Sequence, residues 1–455
     1  MRLAIVGGTV FDPRGDVKGQ ERDLYVADGR LVEHLPAVDR VINARGLAVT
    51  PAGLDIRSSV ARFGQNYLRL WGGLASPRQL GEMYAKLGYT HIHEPCLTFQ
   101  TASYVHEELA AIPVVDTSAS LVVNLRDFDL WLKDPAKYAE VGEAWAYLLD
   151  FTRSLNLRVV EPFVRFRQDF YRHRTLSEAE VVERLLAVIN QSRLRFTLEA
   201  TPELLSLDLP IHPGLHLGGL GVALTEPALL DKTLQLLAAG LAADMGLLPP
   251  SSPPGLPALP VQVDLGWFQP FELQPALNPA LARRALSLAV QGRQYSLAFS
   301  VASVLQTPIA KFPRVFSWLG DVASRRRDWG EGLPTGEYTL SDWLRATRTL
   351  PAQYLGFADR GHLQPGARAD IACYDLPISQ SWPEACRRCR LLLKAGEVVV
   401  QDYELVAPAV AKATYYRRTP AVPNQLVREI CQNRSFRREN LQVGGKPHLH
   451  WQPVA

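Results

Sequence analysis

The sequence predicts an α/β protein in which a parallel TIM-like (β/α)8 barrel is combined with a small β-sandwich. Short apolar strands alternate with amphipathic helices over residues 51–359, as is typical of a parallel barrel. Short strands broken by turns occupy both ends of the chain, at 1–50 and 360–416. A chain of 455 residues is long enough for one large domain and a smaller one.

The two end segments are expected to build one composite domain. The N-terminal segment contains RLAIVGGTVFD, RDLYVADGRLV and RVINARGLAVT, which are apolar or alternating runs broken by Gly, Asp or Asn. The C-terminal segment contains ADIACYDL, CRLLLKAGEVVVQD and AKATYYRRT, which have the same character. Strand sets that flank a barrel can pair with each other. Residues 1–50 and 360–416 are therefore predicted to form the composite β-sandwich.

Strand and helix patterns follow each other within the barrel segment. IRSSV and YTHIHEP are predicted strand ends, and SPRQLGEMYAKLG between them has helical spacing. SEAEVVERLLAVINQS begins with a Ser cap followed three residues later by Glu, which predicts a helix start, and RFTLEA is the strand after it. LPVQVDLGWF and YSLAFSVA are later strands. The Pro-rich stretch at 247–260 is predicted to be an exposed loop.

Composition and charge exclude several functional classes. An apolar fraction of 47%, a charged fraction of 21% and a net charge of +3 are ordinary for a soluble protein and do not indicate nucleic-acid binding. No apolar run reaches the ~18 residues that a membrane span needs. The start MRLAIVGGTV predicts a strand and not a signal peptide. Five sparse Cys favour a reducing compartment, so a cytoplasmic location is expected.

Segments along most of the chain carry a resemblance to a known family. The most specific is GYTHIHEP, with HEEL ten residues beyond it, and RGHLQPGARADIACYDL is a more general signature. The other matching segments, in order, are PAGLDI (51–56), YVHEELAAIPVVDTSA (104–119), LRVVEP (157–162), VDLGWF (263–268), TPIAKFPRVFSWLGD (307–321) and EYTLSDWLRATRTLPAQYLGF (337–357). The chain resembles the A subunit of formylmethanofuran dehydrogenase and of its methylotroph counterpart, the formyltransferase/hydrolase complex, in the amidohydrolase superfamily. The resemblance implies an amidohydrolase-type barrel, and a family that binds zinc and a methanofuran-type one-carbon carrier.

The positions of the family's metal ligands can be followed through these matches. The His-x-His after the first barrel strand falls on Arg57 and Ser59, the carboxylated lysine on Arg158 and the last aspartate on Ala302. A guanidinium has no lone pair for zinc and forms no carbamate, and a lone Ser hydroxyl is a poor ligand. Two further ligands of the family are mid-barrel histidines. The histidines in that region are His212 and His216, and neither lies in recognisable family context.

Two other histidines could form a different site. His91 and His93 alternate along YTHIHEP, so both side chains are expected on one face of a strand. His-x-His at a strand end is a geometry that zinc hydrolases use, but the family match places this strand away from the metal ligands. Hydrogen-bonded, packed histidines are therefore favoured over a new metal site. Glu94 follows at the strand's carboxyl end and could line the barrel mouth.

The C-terminal third leaves two metal-binding questions open. Cys386 and Cys389 form a single C-x-x-C without a second pair, and His448 and His450 lie near the end of the chain. Either pair could bind metal, although core cysteines and a mobile tail are the simpler interpretations. Residues 417–455 are predicted to be a C-terminal tail whose Arg-rich first part could contact another subunit or could be a solvated basic segment.

Two functional hypotheses follow from these residues. In the first, the chain is a degenerate, metal-free subunit that needs no cofactor and works beside a formyltransferase subunit, and possibly a catalytic paralogue of the A subunit. Arg57 and Arg158 would then fill the former metal site, with Asp55, Glu94 or a bound anion between them. In the second, the chain is an active amidohydrolase that releases formate from a formyl-methanofuran-type amide through a non-standard metal site. The four lost ligand positions favour the first hypothesis.

Overall fold

The computed structural model describes most of the chain. The described residues are 2–61, 75–123, 125–159, 177–192, 194–246, 279–300, 309, 312–329, 331–376, 381–419, 421–433, 441, 443, 446 and 448–454. The sequence-based interpretations of the Pro-rich stretch at 247–260, of the strand LPVQVDLGWF and of Ala302 lie outside the described residues.

The strands occur in three groups along the chain. The N-terminal group is β1 Arg2–Asp12, β2 Val17–Ala27, β3 Arg30–Val32, β4 Arg40–Asn43 and β5 Leu47–Pro51. The central group is β6 Gly53–Asp55, β7 Tyr89–Leu97, β8 Asp116–Val122, β9 Asn156–Val159, β10 Phe196–Glu199, β11 Leu215–Gly218, β12 Ala242–Asp244 and β13 Leu297–Ala298. The C-terminal group is β14 Ile371–Asp375, β15 Leu391–Lys394, β16 Glu397–Gln401, β17 Glu404–Leu405, β18 Thr414–Arg417 and β19 Trp451–Val454.

The central group forms the barrel-type sheet. Within the described residues, each strand from β6 to β13 pairs in parallel with the next one along the chain. Because the strands run parallel and in sequence order, their carboxyl ends meet on one face. The connecting helices are Pro77–Lys86, Ala102–Ala111, Asp129–Leu132, Tyr138–Phe151, Glu178–Ser192, Pro202–Ser206, Leu220–Ala223, Pro227–Ala238, Pro279–Gly292, Phe312–Gly320, Val322–Trp329, Leu340–Leu344 and Leu350–Leu355, with a π-helical turn at Arg345–Thr349. The strand–helix alternation confirms the barrel prediction.

Local sequence explains where several of these helices begin. The predicted Ser cap is confirmed, because Ser177 Oγ accepts from the Glu180 N–H at 3.3 Å and Glu180 Oε2 accepts from the Ser177 N–H at 2.9 Å. Ser76 and Gln79 form the same reciprocal arrangement at the start of helix Pro77–Lys86. Each pair satisfies two backbone donors that the first helical turn leaves unpaired. The remaining helices, Trp382–Ala385 and Gln425–Asn433, lie in the C-terminal part of the chain.

The two ends of the chain meet in a second sheet. In the described residues this sheet has nine strands, β1–β5 and β14–β17, and β5 pairs antiparallel with β14 from Leu47–Asp375 to Pro51–Ile371. One face buries its own apolar cluster, which includes Leu3, Ile5 and Leu393. The fold class is confirmed in this respect, since N- and C-terminal segments build one sheet beside the barrel. The proposed domain boundaries stay a prediction.

One strand pairs differently from expectation. The sequence placed AKATYYRRT with the composite sheet, but β18 pairs with β8 at Thr414–Thr117 and Tyr415–Ser118, and so extends the barrel-type sheet. β19 then pairs in parallel with β18. The last residues therefore add a strand to the barrel-type sheet, although residues 417–455 were predicted to be a tail. The reason is that β9 pairs only with the later part of β8, from Ser120 onward, which leaves the start of β8 open to another strand.

A buried ion cluster connects the two sheets. Asp116, at the start of β8, accepts from Arg360 at 2.7 Å and lies 2.7 Å from Lys394 Nζ of β15 and 3.4 Å from Arg368. Burial opposes ionisation of Asp116, but the charges of Arg360, Lys394 and Arg368 hold the pKa of its carboxyl well below the usual range. The cluster therefore fixes the second sheet against the barrel. Among the described residues, no helix is long and apolar enough to cross a membrane.

Candidate functional site

Charged side chains from four strands meet at the carboxyl ends of the barrel strands. Arg57 lies two residues after β6, Arg158 is in β9, Glu199 ends β10 and Asp244 ends β12. These strand ends form the face on which the catalytic residues of such barrels lie. The candidate site is therefore at the carboxyl-terminal mouth of the barrel.

A single carboxylate joins the two arginines. Glu199 accepts from Arg57 Nη2 through Oε1 and from Arg158 Nη2 through Oε2. Only 10% of the Arg57 side chain and 4% of the Arg158 side chain are exposed. Burial alone would raise the pKa of Glu199. The charges of Arg158 and Arg57 and their hydrogen bonds outweigh this effect and lower the pKa to about 2. Glu199 is therefore ionised at neutral pH, and we call these three residues the Arg–Glu–Arg cluster.

Asp244 supplies the second negative charge beside the cluster. Its Oδ1 lies 3.9 Å from Arg57 Nη1 and accepts from the Ser300 hydroxyl at 2.5 Å and from the Gly219 N–H at 3.1 Å. Two guanidinium charges are thus matched by two carboxylates. Charge balance is what permits two like charges to be buried together.

Two glycines at the carboxyl end of strand β11 leave room for these side chains. A Cβ on Gly218 would lie 2.9 Å from Arg158 Nη2, and one on Gly219 would lie 2.9 Å from Glu199 Oε1. Gly219 also has φ +74°, which side chains with a Cβ rarely adopt. The pair Gly218-Gly219 is therefore part of the site's architecture.

The carboxylate between Arg57 and Arg158 is Glu199, and not Asp55 or Glu94 as the sequence suggested. Asp55 faces the other way: it accepts from the Tyr84 hydroxyl at 2.6 Å and from the Arg57 N–H at 3.0 Å, and burial raises its pKa to about 6. Glu94 Oε2 accepts from the backbone N–H groups of residues 60 and 61, at 2.9 and 3.0 Å. Both carboxylates hold the loop after β6, while the bridge comes from a residue of β10. Ser59 lies buried in that loop with φ +48°.

His91 and His93 lie in the barrel interior as hydrogen-bonded side chains. Ser118 Oγ is 2.9 Å from His91 Nε2 and 2.8 Å from His93 Nδ1, and Ser120 Oγ is 2.7 Å from His93 Nε2. Burial is the main cause that lowers the pKa of both, to about 3 for His93, so both rings are neutral at pH 7. The arrangement fits the interpretation of packed histidines.

The two mid-barrel histidines separate in the structure. His216 lies in β11 with its ring centroid 3.9 Å from that of Tyr354, and its Nδ1 is 3.9 Å from Asp244 Oδ2. Burial lowers the pKa of His216 to about 4. His212 lies in the preceding loop, where Nε2 is 2.6 Å from Asn190 Oδ1. Only His216 therefore approaches the candidate site.

The residues at this face do not fit a zinc site. Arg57 and Arg158 offer no lone pair, and both oxygens of Glu199 already accept from them. Across the part of the chain that the structure describes, no three His, Cys, Asp or Glu side chains are grouped so that they could hold a metal ion. The donor chemistry at the described positions thus disagrees with the metal centre that the fold family implies.

The remaining candidates are placed by ordinary packing. Cys386 and Cys389 are buried, and burial raises the pKa of each thiol to about 12, so neither is a thiolate at neutral pH. Cys389 Sγ donates to the Leu391 carbonyl at 3.0 Å. His448 Nε2 lies 2.7 Å from Glu107 Oε2. His450 is exposed, and its carbonyl accepts from the N–H of Thr414 in β18.

Sequence reasoning missed Glu199, Asp244 and Ser300 as members of the site. Each lies at or just after the carboxyl end of a barrel strand. This position could have identified Glu199 in RFTLEA and Asp244 in LAAD from the sequence. A polar residue that ends a buried parallel strand points to the barrel mouth.

The fold and the position of this cluster define an amidohydrolase-type barrel protein. Residues 306–400 match the model of the Amidohydrolase family. Over its full length the chain is 23% identical to Protein FwdA of Methanocaldococcus jannaschii, of which the match covers 99%. It is 24% identical to the A subunit of the formyltransferase/hydrolase complex Fhc of Methylorubrum extorquens, with 90% of each chain covered.

Solved structures agree with these relatives. A chain in the X-ray crystal structure of the Methylorubrum extorquens complex FhcABCD with methylofuran superposes with a TM-score of 0.82 at 20% identity, with 100% of both chains covered. A triazine hydrolase from Arthobacter aurescens gives a TM-score of 0.53 at 14% identity, with 97% of this chain and 99% of that chain covered. The chain therefore has the amidohydrolase fold and is similar along most of its length to FwdA and to the A subunit of Fhc.

Proposed function

We propose that this chain is a metal-free, non-catalytic component, similar to the A subunit, of a formyltransferase/hydrolase complex in tetrahydromethanopterin-linked one-carbon metabolism. It acts in assembly or structure and needs no cofactor of its own. The observation that carries the proposal is the Arg–Glu–Arg cluster, because two fixed cations and their shared carboxylate occupy the positions matched to metal ligands.

The chemistry of the cluster supports a non-catalytic role. Amide hydrolysis needs an activated nucleophile, and zinc hydrolases obtain one by lowering the pKa of bound water. A guanidinium can neither hold a metal nor act as a base at neutral pH. The nearby Ser300 hydroxyl donates to Asp244 and has no histidine beside it in hydrogen-bond contact among the described residues, so a Ser-His pair is not formed there.

The partners follow from the relatives. The structure with a TM-score of 0.82 is a chain of the formyltransferase/hydrolase complex FhcABCD, crystallised with methylofuran, and the present chain is covered over its full length in that match. A chain that keeps the whole fold but loses the ligand chemistry keeps surfaces for other subunits. The partners proposed are a catalytic paralogue of the A subunit together with a formyltransferase subunit, in the cytoplasm.

Metal analysis of the purified protein tests the absence of zinc. The chain is purified without chelators, and zinc is measured by mass spectrometry per mole of chain, with a zinc-loaded amidohydrolase carried through the same steps as control. We expect less than about 0.1 zinc per chain, since the described donor set cannot retain it. One or more zinc ions that are lost in Asp244→Asn or His216→Gln would contradict the proposal and favour the active hydrolase.

Affinity purification from the native host tests the complex. The tagged chain is expected to bring down a formyltransferase subunit in stoichiometric amount. The chain is then separated from its co-purified partners and assayed alone for formate release from a formylated amine carrier. Formate release by the isolated chain, or a monodisperse monomer from native extract, would contradict the proposed role.

A further inference from the structure

A pocket of about 180 Å³ lies at the opposite end of the barrel from the Arg–Glu–Arg cluster. Its walls come from the amino-terminal ends of β10 to β13 and from helix Leu350–Leu355, and we call it the basal pocket. Most of the lining is apolar, with contributions from Phe196, Pro213, Leu215, Ala242, Ala298 and Leu350. Catalytic residues of such barrels lie at the carboxyl ends of the strands, so this pocket lies at the other end, and His216 is the lining residue that also approaches Asp244 of the candidate site.

An unsatisfied histidine forms part of the wall. His216 is 4% exposed, and neither of its ring nitrogens has a hydrogen-bond partner among the described residues. The 3.9 Å from its Nδ1 to Asp244 Oδ2 is beyond hydrogen-bond distance. Buried polar atoms in native proteins normally have a partner, so a bound molecule or an ordered water is expected at this ring.

Two arginines lie close together at the same end of the barrel. Arg195 lines the pocket, and Arg195 and Arg417 both lie beside Gly356. A Cβ added to Gly356 would be 3.7 Å from Arg195 Cζ and 3.2 Å from Arg417 Nη2. Arg195 donates to the carbonyl of Gln353 at 2.8 Å, and Arg417 donates to that of Leu155 at 3.3 Å. Within the described part of the chain neither guanidinium forms an ion pair.

The missing negative charge is informative. The positive charges of Arg195 and Arg417 repel each other. Burial and the charge of Arg195 both lower the pKa of Arg417. At the other face of the barrel, the same kind of arginine pair is bridged by Glu199. An anion between Arg195 and Arg417 would relieve the repulsion in the same way. The hydrogen bonds that Arg195 donates to the Gln353 and Tyr354 carbonyls both come from Nη1, which leaves the N–H groups of Nε and Nη2 for an anion.

We propose that the basal pocket binds a small monocarboxylate with a compact apolar body. The carboxylate lies on Arg195 with Arg417 beside it, because the planar guanidinium matches a carboxylate. The apolar body packs against Leu350 and Ala298, and a polar group on the ligand reaches His216. A phosphate is a poorer fit, because a dianion needs more donors than this mostly apolar lining offers.

Titration calorimetry on the full-length protein tests the site with benzoate as the probe and benzamide as its neutral counterpart. We expect benzoate to bind with a Kd of about 1 mM or tighter and benzamide at least about tenfold more weakly. Arg195→Gln removes the charge, and Ser296→Leu fills the pocket. Each should weaken benzoate binding at least about tenfold. The exposed Arg326→Gln serves as the matched control and should bind as the unsubstituted chain does.

Three results would overturn the proposal: no benzoate binding at about 10 mM, equal binding of benzoate and benzamide, or binding that persists in both Arg195→Gln and Ser296→Leu. Ser296→Leu keeps the test decisive if Arg195→Gln unfolds, because the Ser296 side chain forms no hydrogen bond within the described part of the chain. The result is independent of the proposed subunit role. Zinc content and co-purification do not depend on Arg195 or Ser296, so either idea can fail alone.

Discussion

Glu199→Gln is the sharpest perturbation of the Arg–Glu–Arg cluster. Gln keeps the size of the side chain but removes the charge, so the guanidinium groups of Arg57 and Arg158 stay buried while the carboxylate that both contact is lost. Leaving a buried charge without its partner costs about 3–5 kcal/mol. The fall of the Glu199 pKa from 4.5 to about 2 corresponds to roughly 3 kcal/mol of preferential stabilisation of its charged form. We therefore expect the free energy of unfolding to fall by about 3 kcal/mol at pH 7.

The effect of Glu199→Gln should depend on pH in a defined direction. A carboxyl whose pKa is lowered by folding contributes its full stabilisation above its unfolded pKa, here about 4.5, and loses it as the pH falls through about 2. The difference between the unsubstituted chain and the variant should therefore be constant from pH 7 to 5. It should be about half as large at pH 3.

Urea unfolding followed by tryptophan fluorescence provides the measurement. The matched control is Glu183→Gln, which changes an exposed glutamate on helix Glu178–Ser192 and should alter the unfolding free energy by less than about 0.5 kcal/mol. If Glu199→Gln unfolds at the same urea concentration as Glu183→Gln, the two arginines are not held by this carboxylate and the reasoning is refuted. A difference that grows as the pH falls would refute the pH argument alone.

Three further predictions follow from other residues. Arg158→Lys should destabilise the fold by about 1–2 kcal/mol in urea unfolding, because an ammonium cannot reproduce the planar fork, and should release no formate from a formylated carrier. Asp116→Asn leaves Lys394 buried without its carboxylate, so the unfolding free energy should fall by about 3–5 kcal/mol, against less than about 0.5 for the exposed Asp231→Asn. His93→Gln removes a histidine whose pKa is about 3 in the folded protein, below the usual 6.5. Such a group contributes its full stabilisation above pH 6.5 and loses it as the pH falls towards 3. Melting temperatures between pH 7 and 4 should therefore decline less steeply in this variant, and an equal slope would contradict the prediction.

Most of the fold could be predicted because its elements obey local rules. The helix that begins after Ser177 has its cap and its Glu at the expected spacing, and the predicted strand YTHIHEP lies in β7, which is buried throughout. The position of β18 could not be predicted in the same way. TYYR is a good strand in either sheet, and its choice of β8 depends on how much of β8 the neighbouring strand β9 leaves open. That is a long-range property which no local pattern reveals.

The sequence indicates where the candidate site lies, but it does not indicate which carboxylate contacts the two arginines. The family match located Arg57 and Arg158, and the shared strand-end face implied that they meet. The identity of the bridging residue depends on which strand end points a carboxylate between them, and Glu199 of β10 does so while Asp55 turns to Tyr84. Asp55 and Glu94 were favoured because they are near in sequence. Proximity in sequence is a poor guide to proximity among the strand ends of a barrel.

The Arg–Glu–Arg cluster and a zinc site solve the same physical problem in opposite ways. Parallel strands bring polar side chains to one shared volume, and that volume must be neutral overall. A zinc site places neutral and anionic donors around an added cation. Here the chain supplies the cations itself at 57 and 158, and the carboxylates of Glu199 and Asp244 lie around them. Because the positive charge is covalently fixed, one substitution cannot restore a metal site. Arg57→His would add one donor, yet Arg158 would still occupy the volume and repel the ion.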